Sequence, residues 1–389
     1  MSEAGSPIWV VARVHGPDEG GVQTYVAQVA QAYARSGRRV TVFAKSSAGP
    51  RRAVEGGVTL VDVGPASQLR VYMRLARAMA AAWIAGERPE AIHACTWRAA
   101  IPALPFRRPL VVTVHGREIG RPAGIAFLLM RAVLSRTARV VAVSDATRAL
   151  MLSRMPTLAD RCVAAWNGVV LPAERPVETG NAVPRIITVC RLVPRKNVAA
   201  AVRAVSDCRA GGVAIDYAVI GRGDDESAVR EAVADGAVIQ GPGGIVMTGY
   251  VSDEELALRY RTADIFLHPQ IALEGGAEME GFGLSVADAM AQGIPCIVGR
   301  DGGPGELVRD GVDGLVVDGR TPSEIRAAVA LLARDPAYRR KLGENARAFA
   351  AENFCWDRHC RLALEGLADQ LGRPDAGQES RAGKAVLST

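Results

Sequence analysis

Compact apolar runs and amphipathic stretches alternate along this chain, and the alternation predicts its elements. Residues 9–14, 38–45, 58–63, 91–94, 110–114 and 139–143 read as strands. The first of them, WVVARV, is almost continuously apolar, as a parallel strand buried on both faces should be. Helical periodicity falls between them, at about 22–35, 68–85, 122–136 and 145–154. After a stretch rich in Pro, Gly and polar residues (LPAERPVETGNAVP, 171–184) the pattern restarts. Strands follow at 185–190, 215–221, 245–250, 263–269, 295–300 and 314–319. Helices are expected at about 196–210, 226–234, 253–262, 284–292, 305–309 and 322–334, with a long helical end over 339–370. Two βαβ series of this kind predict an α/β chain with two Rossmann-like, doubly wound domains. The expected boundaries are 1–175 and 185–351, with a linker at 176–184, a terminal helix at about 352–370, and a tail over 372–389 too poor in apolar residues to fold.

Composition narrows the class. At 389 residues and 49% hydrophobic content, two separate cores are affordable, and 5% aromatic content argues against a nucleic-acid binder that works by stacking. Seven cysteines show no CxxC; Cys355, His359 and Cys360 form at most a metal fragment, so packing in a reducing cytoplasm is the expectation. The first residues lack a signal peptide, and no window approaches the roughly 18 apolar residues of a membrane span. Charge is lopsided. Residues 1–175 carry 23 Arg and Lys against 11 Asp and Glu, and the remainder 24 against 30. A basic first half, including Arg70, Arg74 and Arg77 in RVYMRLARAM, suits a phosphorylated acceptor or peripheral membrane contact, or is simply solvated. No helix-turn-helix, RNA-recognition or zinc signature accompanies it, so no nucleic-acid partner is expected.

The chemistry concentrates in EGGAEMEGFGLSVADAM (274–290). Glu280 precedes Gly281-Phe282-Gly283, a turn that lets backbone approach a ligand, and a helix start follows at Leu284, whose first amides would be free. Asp288 comes eight positions after Glu280. Carboxylates for hydroxyls and amides for phosphate together suit a sugar nucleotide. In VCRLVPRKN (189–197) a strand end carries Arg191 and Lys196, two cations able to neutralise a departing diphosphate. Gly221 and Gly223 form a GxG after the next strand, weak on its own. Asp224-Asp225 is not a DxD metal motif, and no other metal motif is found. Gly20-Gly21 opens the first helix, and His115 follows a strand that ends at Val114.

These segments, in this order, resemble retaining glycosyltransferases of family 4. Residues 280–288 resemble the family's Glu-x7-Glu signature with Asp288 in the second position, and residues 190–197 its GRL-x-x-x-KG segment with Cys190 and Asn197 replacing glycines. The resemblance implies the GT-B architecture, two domains facing a central cleft. It implies that His115, Arg191, Lys196 and Glu280 serve catalysis, and that Gly20, Gly21, Gly221, Phe282, Gly283, Leu284 and Asp288 bind the donor. SDATRALM (144–151) and WNGVV (166–170) resemble the family's interface segments, and Phe354 and Trp356 would anchor a helix crossing back to the first domain. Glu306 would cap its following helix or touch the nucleotide.

The implied activity is a cytoplasmic, bacterial-type hexosyl transfer (EC 2.4), retaining and metal-independent. It needs no cofactor beyond a nucleotide-diphosphate sugar, UDP foremost. With no carboxylate placed as covalent nucleophile, front-face substitution is expected. The acceptor would be a cyclitol or aminocyclitol, or a glycolipid or phosphorylated hydroxyl at the inner membrane face. Glu118, Asp18 or Glu19 would be needed to receive a polycationic acceptor. A sugar-nucleotide epimerase, or a non-catalytic nucleotide-sugar-binding subunit, is the alternative on the same architecture.

Overall fold

A computed structural model describes residues 5–16, 20–172, 181–236 and 243–367. The expected tail, Asp18, Glu19 and the linker up to residue 180 lie outside the described residues.

The first sheet holds β1 (Gly5–Val11), β2 (Arg38–Ala44), β3 (Pro50–Glu55), β4 (Val58–Val63), β5 (Ala91–Ala94), β6 (Leu110–Val114), β7 (Arg139–Ala142) and β8 (Cys162–Ala164). Its order is β3-β4-β2-β1-β5-β6-β7-β8. The β1–β2, β1–β5, β2–β4 and β5–β6 pairs are parallel, and β3 is an antiparallel edge on β4. The second sheet holds β9 (Arg185–Val189), β10 (Asp216–Ile220), β11 (Ile245–Gly249), β12 (Ile265–His268), β13 (Cys296–Gly299) and β14 (Gly314–Val317), in the order β11-β10-β9-β12-β13-β14. Its β9–β10, β10–β11, β9–β12, β12–β13 and β13–β14 pairs are parallel. The α/β architecture with two doubly wound sheets is therefore as the pattern predicts.

Strand alternation explains why both faces of the second sheet are covered. Ile186, Tyr217, Val219, Ile265, Leu267 and Ile297 point into one buried cluster with the helices Val198–Ala210, Glu226–Gly236 and Pro322–Arg334. Their neighbours Ile187, Ala218, Phe266, Cys296 and Val298 point into another, beside the helices Leu284–Ala291 and Pro336–Asn353. Successive side chains of a strand face opposite ways, so a run apolar at every position buries both faces.

Two strands escape the apolar pattern. β3 is almost wholly exposed and charged, and β8 has only three residues. The long helical end is broken: one helix stops at Asn353 and the next, Trp356–Leu364, begins after Phe354 and Cys355. The chain divides into two compact units, Met1–Thr113 with Arg131–Val140 and Cys360–Thr389, and Val114–Met130 with Val141–His359. Residues 114–130 and 141–172 thus group with the second unit, and the described residues from Cys360 to 367 with the first. Among the described residues no helix is long and apolar enough to cross a membrane.

Candidate active site

In the second sheet the chain winds outward from β9 to β11, then returns and winds the other way from β12 to β14. Ligands of open α/β sheets bind where the winding reverses, beyond the carboxyl ends of the strands. The loops leaving β9 and β12 flank that point, and both carry charge. After β9 the chain makes one 3-10 turn, Pro194–Lys196, and Asn197 takes a left-handed conformation at φ 55°. Its side-chain amide donates to the carbonyls of Pro269 (3.0 Å) and Gly319 (2.6 Å), which fixes the turn against the loop after β12.

That turn aims two buried cations at Glu280. Lys196 Nζ lies 2.8 Å from Glu280 Oε2 and 3.4 Å from His268 Nε2. Arg195 Nε lies 3.4 Å from the same carboxylate oxygen, and its Nη1 is 3.6 Å from Glu278 Oε1. Glu278 also faces Arg117 Nε and Arg121 Nη2, each at 3.5 Å. Burial by itself would raise the Glu280 carboxyl, but Lys196, then Arg195 and His268, outweigh it and hold the group at about 2. Burial, followed by the Lys196 charge, pushes His268 down to about 3, so that imidazole is neutral. Glu280 is therefore a fixed anion in a cationic surround.

Glycines bring a third loop to the same place. A Cβ on Gly281 would lie 1.8 Å from the His115 carbonyl oxygen, so the Glu280–Gly281 turn packs backbone-to-backbone on the turn after β6. The His115 N–H donates to Glu118 Oε1 within that turn. Glu118 therefore has a local structural task. Gly303 N–H donates to Glu280 O at 2.9 Å, and a Cβ on Gly303 would meet Gly281 O at 2.3 Å. Glu306 does not cap its own helix: its carboxylate accepts from Asp145 N–H (2.8 Å) and Ala146 N–H, at the start of helix Asp145–Arg154.

Other expected site residues are distributed as follows. Arg191 is exposed and makes no ion pair among the described residues, so the cation beside Lys196 is Arg195. Phe282 is 4% exposed, edge-on to Phe354 at 6.0 Å, which leaves its backbone alone to meet a ligand. Gly283 (φ 94°) precedes Leu284, the first residue of an eight-residue helix. Asp288 is exposed on that helix, outside the ion-pair cluster; desolvation by the protein around it raises its carboxyl above the usual aspartate range. Gly221 serves packing, since a Cβ there would sit 2.0 Å from Cys190 O. Gly20 and Gly21 belong to the first unit, where Gly20 precedes the helix Gly21–Arg35. Arg195, Glu278, His268, Arg117 and Arg121 were not legible as a set. The available signal was spacing: Arg195 adjoins Lys196, and Glu278 stands two residues before Glu280.

Cys355, His359 and Cys360 form no metal fragment. The His359 ring lies 3.1 and 3.2 Å from the Ala165 and Trp166 carbonyls, and the Cys360 thiol faces Val29 O at 3.8 Å. Among the described residues no group of three or more His, Cys, Asp or Glu is placed to hold a metal ion.

Comparison with known proteins bears on the family and the fold. The family described as "Glycosyltransferase Family 4" matches residues 19–171, and "Glycosyl transferases group 1" matches 174–349. A GDP-mannose-dependent alpha-(1-6)-phosphatidylinositol monomannoside mannosyltransferase of Mycobacterium tuberculosis is 27% identical over 397 residues, covering 96% of this chain and 100% of that protein. The same-named Mycolicibacterium smegmatis protein is 33% identical over 181 residues, 46% of this chain and 47% of its own length. Sucrose-phosphate synthase from Thermosynechococcus elongatus shares the fold, with a TM-score of 0.75 at 20% identity over 94% of this chain and 99% of that one. Both halves of the chain thus match one family in order, and the chain belongs to the family 4 glycosyltransferases of GT-B fold.

Proposed function

We propose that this glycosyltransferase moves a sugar, with retention and without a metal ion, from a nucleotide-diphosphate sugar to a hydroxyl acceptor. The observation that carries the reading is the buried Arg195–Lys196–Glu280 cluster at the reversal point of the second sheet. An ionised Glu280 accepts hydrogen bonds from donor-sugar hydroxyls. Lys196 and Arg195, joined by the exposed Arg191, balance the charge that grows on the diphosphate as its bond to the anomeric carbon breaks. The amides of Phe282, Gly283 and Leu284 offer further donors at a helix start. Asp288 takes the ribose, Gly20-Gly21 the diphosphate, and His115 stands beside the transferred sugar. The acceptor oxygen bonds to the anomeric carbon on the face the diphosphate leaves, and its proton passes to a phosphate oxygen of that leaving group.

For the donor, the names of the mycobacterial relatives favour GDP-mannose over the UDP-sugar that the sequence suggested. The same names favour an acceptor built on the inositol ring of a phosphatidylinositol lipid, which is a cyclitol. The experiment is a thermal-shift panel of UDP, GDP, ADP and dTDP on the wild type and Arg191→Ala. A shift with GDP alone, lost in the variant, supports donor and site together. No shift with any nucleotide would remove the donor site, and with it the transferase reading of this cluster. The anomeric configuration of the product, read by NMR from a reaction run in EDTA, then tests retention and metal independence.

A further inference from the structure

We infer that the helix Gly124–Leu134 docks the protein on an anionic phospholipid surface. Its sequence, GIAFLLMRAVL, is apolar nearly all round. A helix of that composition is normally buried. Here only one face is: Met130, Val133 and Leu134 are at most 1% exposed. Ile125 is 85% exposed, Leu128 59% and Leu129 46%, and their i, i+3, i+4 spacing makes one outward stripe. Three large aliphatic side chains on adjacent turns are a contiguous apolar patch, which scattered surface leucines are not.

The charge around the stripe selects the occupant. Arg117 and Arg121 are paired with Glu274 and Glu278, and Arg139 donates to the Glu365 carbonyl, so the charge beside the stripe rests on Arg131 and Arg136, with no acid between Gly124 and Val140. Arg131 and Arg136 are exposed, one within the helix and one just after it. A second copy of the chain would bring the same arginines against these and be repelled, whereas an anionic lipid surface attracts them and accepts the stripe among its acyl chains. The helix Gln68–Ile84, with the basic positions singled out from sequence, is the weaker candidate. Arg74 there donates to the carbonyls of Val63 and Pro65, both at 3.1 Å. The inference deepens the lipid-acceptor part of the proposed function, but it stands or falls independently of the donor.

Co-sedimentation of the full chain with vesicles tests it, using phosphatidylcholine alone and phosphatidylcholine with phosphatidylglycerol, at low and high salt. The wild type is expected on the anionic vesicles and released by salt. The Leu128→Glu, Leu129→Glu double variant should lose at least about ten-fold in partition. Arg131→Ala with Arg136→Ala should lose less and flatten the salt dependence. Both positions of the first variant are exposed, so its melting temperature and nucleotide-induced shift should match wild type. If that variant fails to fold, the arginine variant carries the test alone. Wild type left in the supernatant with anionic vesicles overturns the inference, as does undiminished binding by both variants. Light scattering that shows a wild-type dimer split by the leucine substitutions would assign the stripe to a second copy instead.

Discussion

Asn197 holds a backbone conformation that glycine adopts freely and most residues resist, and it offsets that strain with two side-chain hydrogen bonds. Two substitutions should separate these terms. Asn197→Gly loses the bonds and relieves the strain; Asn197→Ala loses the bonds and keeps it. Alanine should therefore be the worse by about 1 kcal/mol in urea unfolding, and an alanine variant as stable as glycine would show that the turn relaxes. Glu280 gives the residue-scale pH dependence. Its carboxyl is held at about 2 in the folded chain and titrates near 4.3 when unfolded, so the unfolded state binds its proton first as pH falls. The contribution, on the order of 3 kcal/mol, is full above the unfolded value and fades between about pH 4 and pH 2. Glu280→Gln lacks this term. Wild type should then lose stability relative to the variant over that window, and a constant difference between pH 5 and pH 2.5 would contradict the ion-pair account. Lys196→Met is the complement: it leaves Glu280 buried beside Arg195 alone and should cost about 3 kcal/mol.

Turns decide where those residues stand, and glycine separates turns that need space from turns that need only conformation. Gly281 has no room for a Cβ beside the His115 carbonyl, whereas Gly275 has open space and only a positive φ of 63°. Gly275→Ala should cost about 1–2 kcal/mol of conformational strain. Gly281→Ala must push two loops apart and should cost more, with loss of the nucleotide-induced thermal shift. Equal melting temperatures for the two would mean that the loops are not tightly packed. The same contrast explains what was legible. Core strands announce themselves because both their faces are buried, and Ser252 before the helix Asp253–Thr262 signals its cap, accepting from Glu255 N–H at 3.2 Å. β3 was missed because an exposed edge strand carries no apolar signal. The readable cue was Gly56-Gly57, with φ of 56° and 81°, the two positive values that a tight hairpin turn demands. A terminal helix beginning near Phe354 and Trp356 was legible, whereas the break between Asn353 and Trp356 was not, because helical periodicity persists on both sides of it. Phe354 is fixed by tertiary packing, against Trp166 at 5.9 Å and Phe349 at 5.8 Å. Local pattern singled out Glu280 and Lys196, which stand in the loops after β12 and β9, but Arg195 and Glu278 joined them as a set only once those strands were neighbours.

Across the whole molecule, the chain passes from one compact unit to the other at residues 113–114, 130–131, 140–141 and 359–360. Neither unit is a continuous segment. The first takes its last pieces from Arg131–Val140 and from residues after Cys360, and it uses them: the Arg139 guanidinium donates to Glu365 O, and the Cys360 thiol faces Val29 O. A unit that lacks one of its own pieces until the rest of the chain is in place cannot complete its core alone. Two domains joined by one linker would be free to melt separately, but four crossings couple these two through the backbone itself. The equilibrium unfolding of the full chain is therefore expected to be a single transition, despite a length at which independent domains are common. Hydrogen exchange read by mass spectrometry across a urea series resolves the two units without any substitution. Peptides spanning β1 and peptides spanning β9 should lose protection at the same urea concentration. A saturating nucleotide should move both midpoints together, although Arg195, Lys196, Glu280 and Asp288 of the proposed donor site all lie in the second unit. Separate midpoints, with only the β9 peptides responding to nucleotide, would show that the crossings are slack tethers and that each unit closes its core on its own.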